Sequence, residues 1–212
     1  MDKQVYIELM GQKGAGLTTV SKLLSEKLGV YLTSSDYYRS MLYLINLGYT
    51  ESDFKSERAK RLCSYLTKMY PDVKECFNAK RYEKYVDTEL DRTITNALKM
   101  DSSIIVDKHK IERGAPHLKI NDDHYDKITI FVESFDFKIC QERLYNVSPN
   151  YDEIDNNVIG ANMKYSFGYS PVSYNTPTLA DAALSDYIII NNGTLDELND
   201  RVEEVAQKIK KR

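Results

Sequence analysis

The sequence predicts an α/β fold built on a parallel sheet, and three observations carry that prediction. Short runs rich in β-branched residues stand at Ser103-Ile104-Ile105-Val106, Ile128-Thr129-Ile130-Phe131-Val132 and Tyr187-Ile188-Ile189-Ile190. Near-continuous apolar runs of this length suit strands buried on both faces. Between them lie stretches with helix-like periodicity, and the first apolar run passes through a glycine cluster into a helical pattern. Strand, helix, strand alternation gives an α/β architecture with right-handed crossovers.

Taken in order, Val5-Tyr6-Ile7-Glu8-Leu9-Met10 reads as a strand that feeds a tight turn. Thr18 to Leu28 reads as a helix, because Val20, Leu23, Leu24 and Leu28 recur at helical spacing and Gly29 stops the pattern. A second helix is expected over Tyr37 to Leu47, ending at Gly48. Thr50, three residues before Asp53, is expected to cap a third helix that runs to about Tyr70, where Pro71 breaks it. A fourth spans about Arg81 to Met100, with Val86, Leu90, Ile94, Ala97 and Leu98 on one face. Tyr145 to Thr178 is rich in Asn, Ser, Tyr, Gly and Pro, lacks periodicity, and reads as an excursion from the domain. A last amphipathic helix covers about Leu195 to Ile209, and the basic Lys210-Lys211-Arg212 that follows reads as a solvated end suited to the helix dipole.

The 212 residues suit one domain with a sizeable core. With 29 Lys and Arg against 32 Asp and Glu, the net charge of -3 argues against a polycation made to coat nucleic acid. No run of 18 apolar residues exists to span a membrane, and the start does not read as a signal peptide. Cys63, Cys76 and Cys140 are odd in number and match no zinc or CxxC spacing, so they read as thiols of a reducing cytoplasm. His109, His117 and His124 show no metal-ligand geometry. The 17 tyrosines beside no tryptophan are a bias with no derivable cause.

The chemistry concentrates in Gly11-Gln12-Lys13-Gly14-Ala15-Gly16-Leu17-Thr18-Thr19. A phosphate loop needs Gly, four residues, Gly, Lys, then Ser or Thr. Gly11 and Gly16 have the spacing, Thr18 is in place, and strand and helix flank the turn. Glycines let the backbone wrap close to phosphate oxygens, the turn aims N–H groups inward, and the helix N-terminus favours an anion. Thr18 would place its hydroxyl on Mg²⁺. The lysine is replaced by Leu17, so the loop is degenerate. Lys13 either folds back toward the β- and γ-phosphates on its flexible stem or points to solvent. A ligand-free βα turn is the bland alternative.

The stretch from Gly11 to Leu42, with Thr33-Ser34-Ser35-Asp36-Tyr37-Tyr38-Arg39 inside it, resembles the start of cytidylate kinases in the nucleoside monophosphate kinase family. The likeness continues through Asp87-Thr88-Glu89-Leu90-Asp91-Arg92, Ile104-Ile105-Val106-Asp107, the run at Ile128 followed by Cys140-Gln141-Glu142-Arg143-Leu144, and Ser185-Asp186-Tyr187-Ile188-Ile189-Ile190-Asn191. These blocks keep the family's order over most of the chain. The resemblance implies a three-layer P-loop kinase fold, with a parallel sheet between helices, a helical monophosphate-binding region at 36–100 and a lid at 145–178. It also implies transfer of the γ-phosphoryl group of ATP to a pyrimidine nucleoside monophosphate such as CMP, with Mg²⁺. Gly11, Lys13, Gly14, Ala15, Gly16, Leu17, Thr18 and Thr19 would then hold the donor. Arg39, with Lys108 and His109, would hold the acceptor phosphate. Asp36, Asp87 or Asp91 would lie near its base, Asp107 would support Mg²⁺, and Arg143 would begin the lid.

Each residue also has a bland reading. Arg39 is then a surface arginine beside packed tyrosines, Asp36 a helix cap, Asp107 a strand-end carboxylate, and Asp87 and Asp91 part of a solvated charged face with Lys84 and Arg92. Lys108, Lys110 and Arg113 bind phosphate or form a solvated loop. Tyr165, Phe167, Tyr169 and Tyr174 stack on a base or pack on the lid itself or on a partner protein. The sequence departs from the family at Leu17, at His109 in an arginine's place, and in having no arginine between Arg143 and Arg201. Phosphoryl transfer needs cations at the transferred group. Two functions therefore stand: a kinase in which Lys13 replaces the missing lysine, or a nucleotide-binding or protein-interaction module, alone or as a homo-oligomer, that kept the fold and lost the chemistry.

Overall fold

The computed structural model describes residues 4–11, 14–74, 79–107, 125–135, 140 and 182–212. Five parallel strands are present: β1 (Gln4–Gly11), β2 (Tyr31–Ser34), β3 (Ile104–Asp107), β4 (Tyr125–Glu133) and β5 (Tyr187–Ile190). Their order across the sheet is β2-β3-β1-β4-β5. The described helices are α1 (Leu17–Leu28), α2 (Ser35–Asn46), α3 (Glu57–Met69), α4 (Ala79–Lys99) and α5 (Leu195–Lys210). The result is a three-layer α/β fold with helices on either side of a parallel sheet.

The chain divides into two compact units. One contains residues up to Ser35, those from Thr88 through β4, and the C-terminal residues from 182 onward; the other contains Asp36–Asp87.

In the first unit β1 is the central strand, and period-2 alternation sends its side chains to opposite faces. Val5, Ile7 and Leu9 join Ile105, Ile128, Ile130, Val132 and Ile189 in one apolar face. Leu17, Val20 and Leu24 of α1 and Leu198, Val202, Val205, Ala206 and Ile209 of α5 cover it. Each of these valines, leucines and isoleucines stabilises the fold by roughly 1.5–3 kcal/mol when fully buried. Lys27 of α1 and Glu203 of α5 meet at 2.8 Å beside that core. On the opposite face Met10 and Phe131 pack with Ala182. Tyr6 meets Tyr125 edge-on, and burial, followed by the nearby Glu8 and Asp91 charges, pushes its phenol well above the ordinary value.

Register fixes which strand ends meet. Leu9 of β1 pairs with Asp107, which in turn pairs with Ser34 of β2. On the other side Gly11 pairs with Val132, and Glu133 with Ile190.

The second unit departs from the expected single third helix. Thr50 does act as a cap, but of a 3₁₀ turn at Glu51–Asp53, where the Asp53 carboxylate accepts from the Thr50 N–H at 2.7 Å. Phe54 is buried, and Ser56 caps α3 anew by accepting from the Ala59 N–H at 3.1 Å. Gly48 adopts φ +93° after α2, the left-handed conformation that ends a helix without steric cost. Tyr70 and Tyr85 stack with ring centroids 4.1 Å apart, and the Tyr85 hydroxyl donates to Asp72 at 2.7 Å.

Two further readings change. Helix α2 begins at Ser35, so Asp36 lies inside its first turn and not ahead of it. Arg212 donates to Asp186 at 3.1 Å and lies over the Tyr187 ring, so the basic end is not simply solvated. Partial burial would raise the Asp186 carboxyl, but hydrogen bonds from the Thr129 N–H and hydroxyl and from Arg212 outweigh it and hold the carboxyl below its ordinary value. Among the described residues no helix is long and apolar enough to cross a membrane.

Helix α5 starts with a reciprocal cap: the Thr194 N–H donates to Glu197 at 2.8 Å, and the Glu197 N–H donates to the Thr194 hydroxyl at 3.3 Å. Removing that hydroxyl leaves a helix-end donor unsatisfied. Thr194→Ala should therefore lower stability by about 1 kcal/mol in urea denaturation, while Thr194→Asp, which keeps an acceptor, should cost little.

Candidate functional site

The turn between β1 and α1 is shaped by how closely other elements approach it. A Cβ on Gly11 would come under 3.0 Å from the Val132 carbonyl of the adjacent strand. Gly14, at φ +81°, would collide with the backbone of residue 140. Gly16, at φ +92°, would collide with the Asn191 side chain. Only glycine meets both the left-handed backbone and the contact at positions 14 and 16.

Gly16 is also the N-cap of α1, with no side chain to satisfy the helix's first N–H groups. Such groups attract an anion, helped by the helix dipole. Thr18 and Thr19 are exposed on the first turn. Leu17 is not: it is 3 % exposed and belongs to the core beneath the sheet. The position that carries a lysine in a full phosphate loop has become part of the core.

Asp107 ends β3 and is 2 % exposed. Fully buried Ser21, from the second turn of α1, lies 3.3 Å from its Oδ2 and 3.0 Å from the Thr18 carbonyl, and its one hydroxyl proton serves these acceptors. Strand β3 and helix α1 are thus joined directly below the exposed Thr18.

Beyond β4 and β5 lies a second set of polar contacts, one of which reaches the turn. The Asn191 side-chain amide donates to the Ala15 carbonyl at 2.7 Å, and its backbone N–H donates to the Glu133 carbonyl at 2.7 Å. The Asn192 side-chain oxygen accepts from the Ser134 hydroxyl at 3.1 Å and from the Phe135 N–H at 2.9 Å. Burial raises the Glu133 carboxyl above its ordinary value, partly offset by the Ser134 N–H that it accepts.

The expected site residues divide into four groups. Gly11, Gly14, Ala15, Gly16, Leu17, Thr18, Thr19 and Asp107 gather at the C-terminal ends of β1 and β3 in one unit. Asp36, Arg39 and Asp87 belong to the other unit, with Arg39 half-buried on α2 and Asp87 exposed on α4. Asp91 lies in the first unit near enough to Tyr6 to act on its phenol. Tyr6 is three residues before Leu9, so this is the far part of β1 from the turn. Lys13, Lys108, His109, Arg143 and the 145–178 segment lie outside the described residues.

Ser21, Asn191 and the backbone of residue 140 were not legible as partners of the turn. Ser21 sits four residues after Leu17 on α1, which puts it on the same helical face, and that spacing was the available signal. Asn191 follows its strand directly, yet nothing in sequence ties position 191 to position 15.

No protein-family model matches the chain, and no curated protein matches it. Solved structures do. A candidate kinase of Chloroflexus aurantiacus is 14% identical, with a TM-score of 0.54, over 100% of this chain and 99% of its own. The protein APE1195 is 12% identical, with a TM-score of 0.52, over 100% of this chain and 97% of its own. At such identities the similarity is one of fold: the chain shares with these structures a three-layer architecture in which helices flank a parallel sheet.

Substitutions at two positions test this geometry. Leu17→Lys gives up the packing of a buried leucine whichever way the ammonium turns, so it should lose about 2 kcal/mol or more in urea denaturation, while Leu17→Met should stay within about 1.5 kcal/mol. Unchanged stability of the lysine variant would mean that position 17 reaches solvent. For Glu133, a carboxyl raised in the native state binds protons more readily folded than unfolded. Native stability then falls as pH climbs from the ordinary carboxyl value through the raised one. Glu133→Gln removes that loss, so its stability relative to the parent should rise across this window and stay level above it. A difference that is constant from about pH 3 to about pH 8 would contradict the assignment.

Proposed function

We propose that the chain is a phosphotransferase of the nucleoside monophosphate kinase type, moving the γ-phosphoryl group of ATP to a pyrimidine nucleoside monophosphate such as CMP. The observation that supports this most is the turn itself. It opens α1 at the C-terminal end of the central strand, with Thr18 and Thr19 exposed beside it and a buried Asp107 ending the neighbouring strand. In open parallel sheets that crevice is where ligands bind.

Backbone amides of residues 13 to 18 would hold the donor phosphates. The helix dipole contributes an equivalent of roughly +0.5 charge there, and Lys13 would supply the cation that Leu17 does not. Mg²⁺ keeps several waters and phosphate oxygens and takes only one or two protein oxygens. A Thr18 hydroxyl and the Asp107 carboxylate fit that donor chemistry. When bound, the ion would neutralise charge on the phosphates. The monophosphate-binding region would be 36–100. Arg39 of that region, with Lys108 and His109 from beyond it, would hold the acceptor phosphate, and Asp36, Asp87 or Asp91 would lie near its base. Arg143 would bring a cation to the transferred group, and 145–178 would close as a lid and exclude water. The chain would work on free nucleotides in the cytoplasm.

A second reading draws on one specific observation, the burial of Leu17 in the core. A loop whose lysine position has been given to packing suits a module that holds a nucleotide, or a protein partner, without turning it over.

A coupled assay with ATP, Mg²⁺ and each of CMP, UMP, AMP and GMP separates the two. Turnover is expected with CMP and UMP, and Lys13→Ala should abolish it while Lys22→Ala should not. Calorimetric binding of ATP with no turnover of any monophosphate would leave the module reading and remove the kinase.

A further inference from the structure

We propose that Asn191 is the positioning residue of the phosphate loop. It holds the Ala15–Gly16 peptide so that the Gly16 N–H faces an anionic, phosphate-bearing ligand. This rests on the reading of the turn as a phosphate cradle.

Asn191 follows β5 and is 4 % exposed. Its side-chain amide donates to the Ala15 carbonyl at 2.7 Å, a contact buried at both ends. A trans peptide sets its C=O and N–H in opposite directions. With the Ala15 carbonyl drawn toward Asn191, the Gly16 N–H of the same peptide is aimed away from it. Gly16 reinforces the arrangement: its φ of +92° is open to glycine, and the Asn191 amide fills the place that a Cβ would take. Asn191 is itself held, because its backbone N–H donates to the Glu133 carbonyl at 2.7 Å. The ends of β4 and β5 are thereby tied to the turn after β1, and the loop's amide direction is set by a residue 176 positions away in sequence.

Asn192, exposed where Asn191 is buried, provides a neighbouring control, and Asn191→Ala tests the buried position without adding charge. The Asn192 side-chain oxygen accepts from the Ser134 hydroxyl and the Phe135 N–H. Asn192→Asp keeps an acceptor in the same place. Asn191→Asp replaces a donor with a carboxylate that faces a carbonyl. One chemical change at adjacent positions, adding the same charge, is expected to disturb the loop from position 191 and to leave it unchanged from position 192.

The experiment is hydrogen–deuterium exchange on the full chain without ligand, together with calorimetric titration of ATP with Mg²⁺, for the parent, Asn191→Asp, Asn191→Ala and Asn192→Asp. Both Asn191 variants should raise exchange in the peptide covering 11–19 by at least tenfold, leave α5 protected, and weaken ATP binding at least tenfold. Asn192→Asp should stay within about threefold of the parent in both readouts. Equal behaviour of the two Asp variants, or an Asn191→Ala loop as protected as the parent's, overturns the proposal. So does global unfolding of both Asn191 variants, which assigns the residue to the fold as a whole. If the parent binds no ATP, the cradle reading fails, while exchange still decides whether Asn191 holds the loop.

Discussion

The closeness of backbone to backbone around the β1–α1 turn is the constraint on which the site depends. Three glycines stand where the Val132 carbonyl, the residue 140 backbone and the Asn191 side chain leave no room for a Cβ. A phosphate loop is usually explained by what a ligand requires. Here the protein's own packing already demands the glycines. The two demands converge, because a turn compressed against its neighbours has its peptide planes fixed before any ligand arrives. Preorganised N–H groups of that kind cost nothing to reorient on binding.

The same compression accounts for Leu17. At the first residue of α1 a side chain can lie over the turn or drop into the core beneath it. Leu17 takes the second course and packs with Val20, Leu24 and the sheet. The core gains apolar contact, and the turn loses a fixed cation. What remains to attract an anion at the described part of the turn is a set of backbone dipoles at a helix N-terminus, worth about 0.3–1 kcal/mol per favourable charge at an exposed site. That is small beside what an added cation brings to phosphoryl transfer, so the placement of cations from elsewhere in the chain is the quantity on which activity turns.

Much of the fold was legible in the residues. The runs at Ile104 and Ile128 are strands, because continuous β-branched sequence is buried on both sides of a parallel sheet; the run at Tyr187 is a strand as well, but at the sheet edge, where Ile188 and Ile190 are exposed and burial on both faces does not hold. Strand β2 was not legible: Tyr31-Leu32-Thr33-Ser34 is short, half polar and ends the sheet, so no hydrophobic pattern marks it. The break between the Thr50 turn and α3 was missed for a different reason. Thr50 and Ser56 are both good caps, and only the burial of Phe54 between them decides that two elements form. In the site, Gly11, Gly16, Thr18 and Asp107 could be chosen from spacing and strand ends. Ser21 and Asn191 could not, because polar residues at those places are common and their partners lie far away in sequence.

By itself the sequence determined the alternation of strands and helices, the glycine turn at the end of the first strand, and the absence of a lysine at position 17. These follow from local rules: periodicity, capping and the steric freedom of glycine. The tertiary structure alone decided that Leu17 is a core residue, that Ser21 serves Asp107, and that Asn191 grips Ala15. Each of these depends on which strand lies beside which, β3 and β4 flanking β1 and β5 beyond. A parallel sheet brings together the ends of strands that are distant in the chain, and no pattern within a segment records its neighbour.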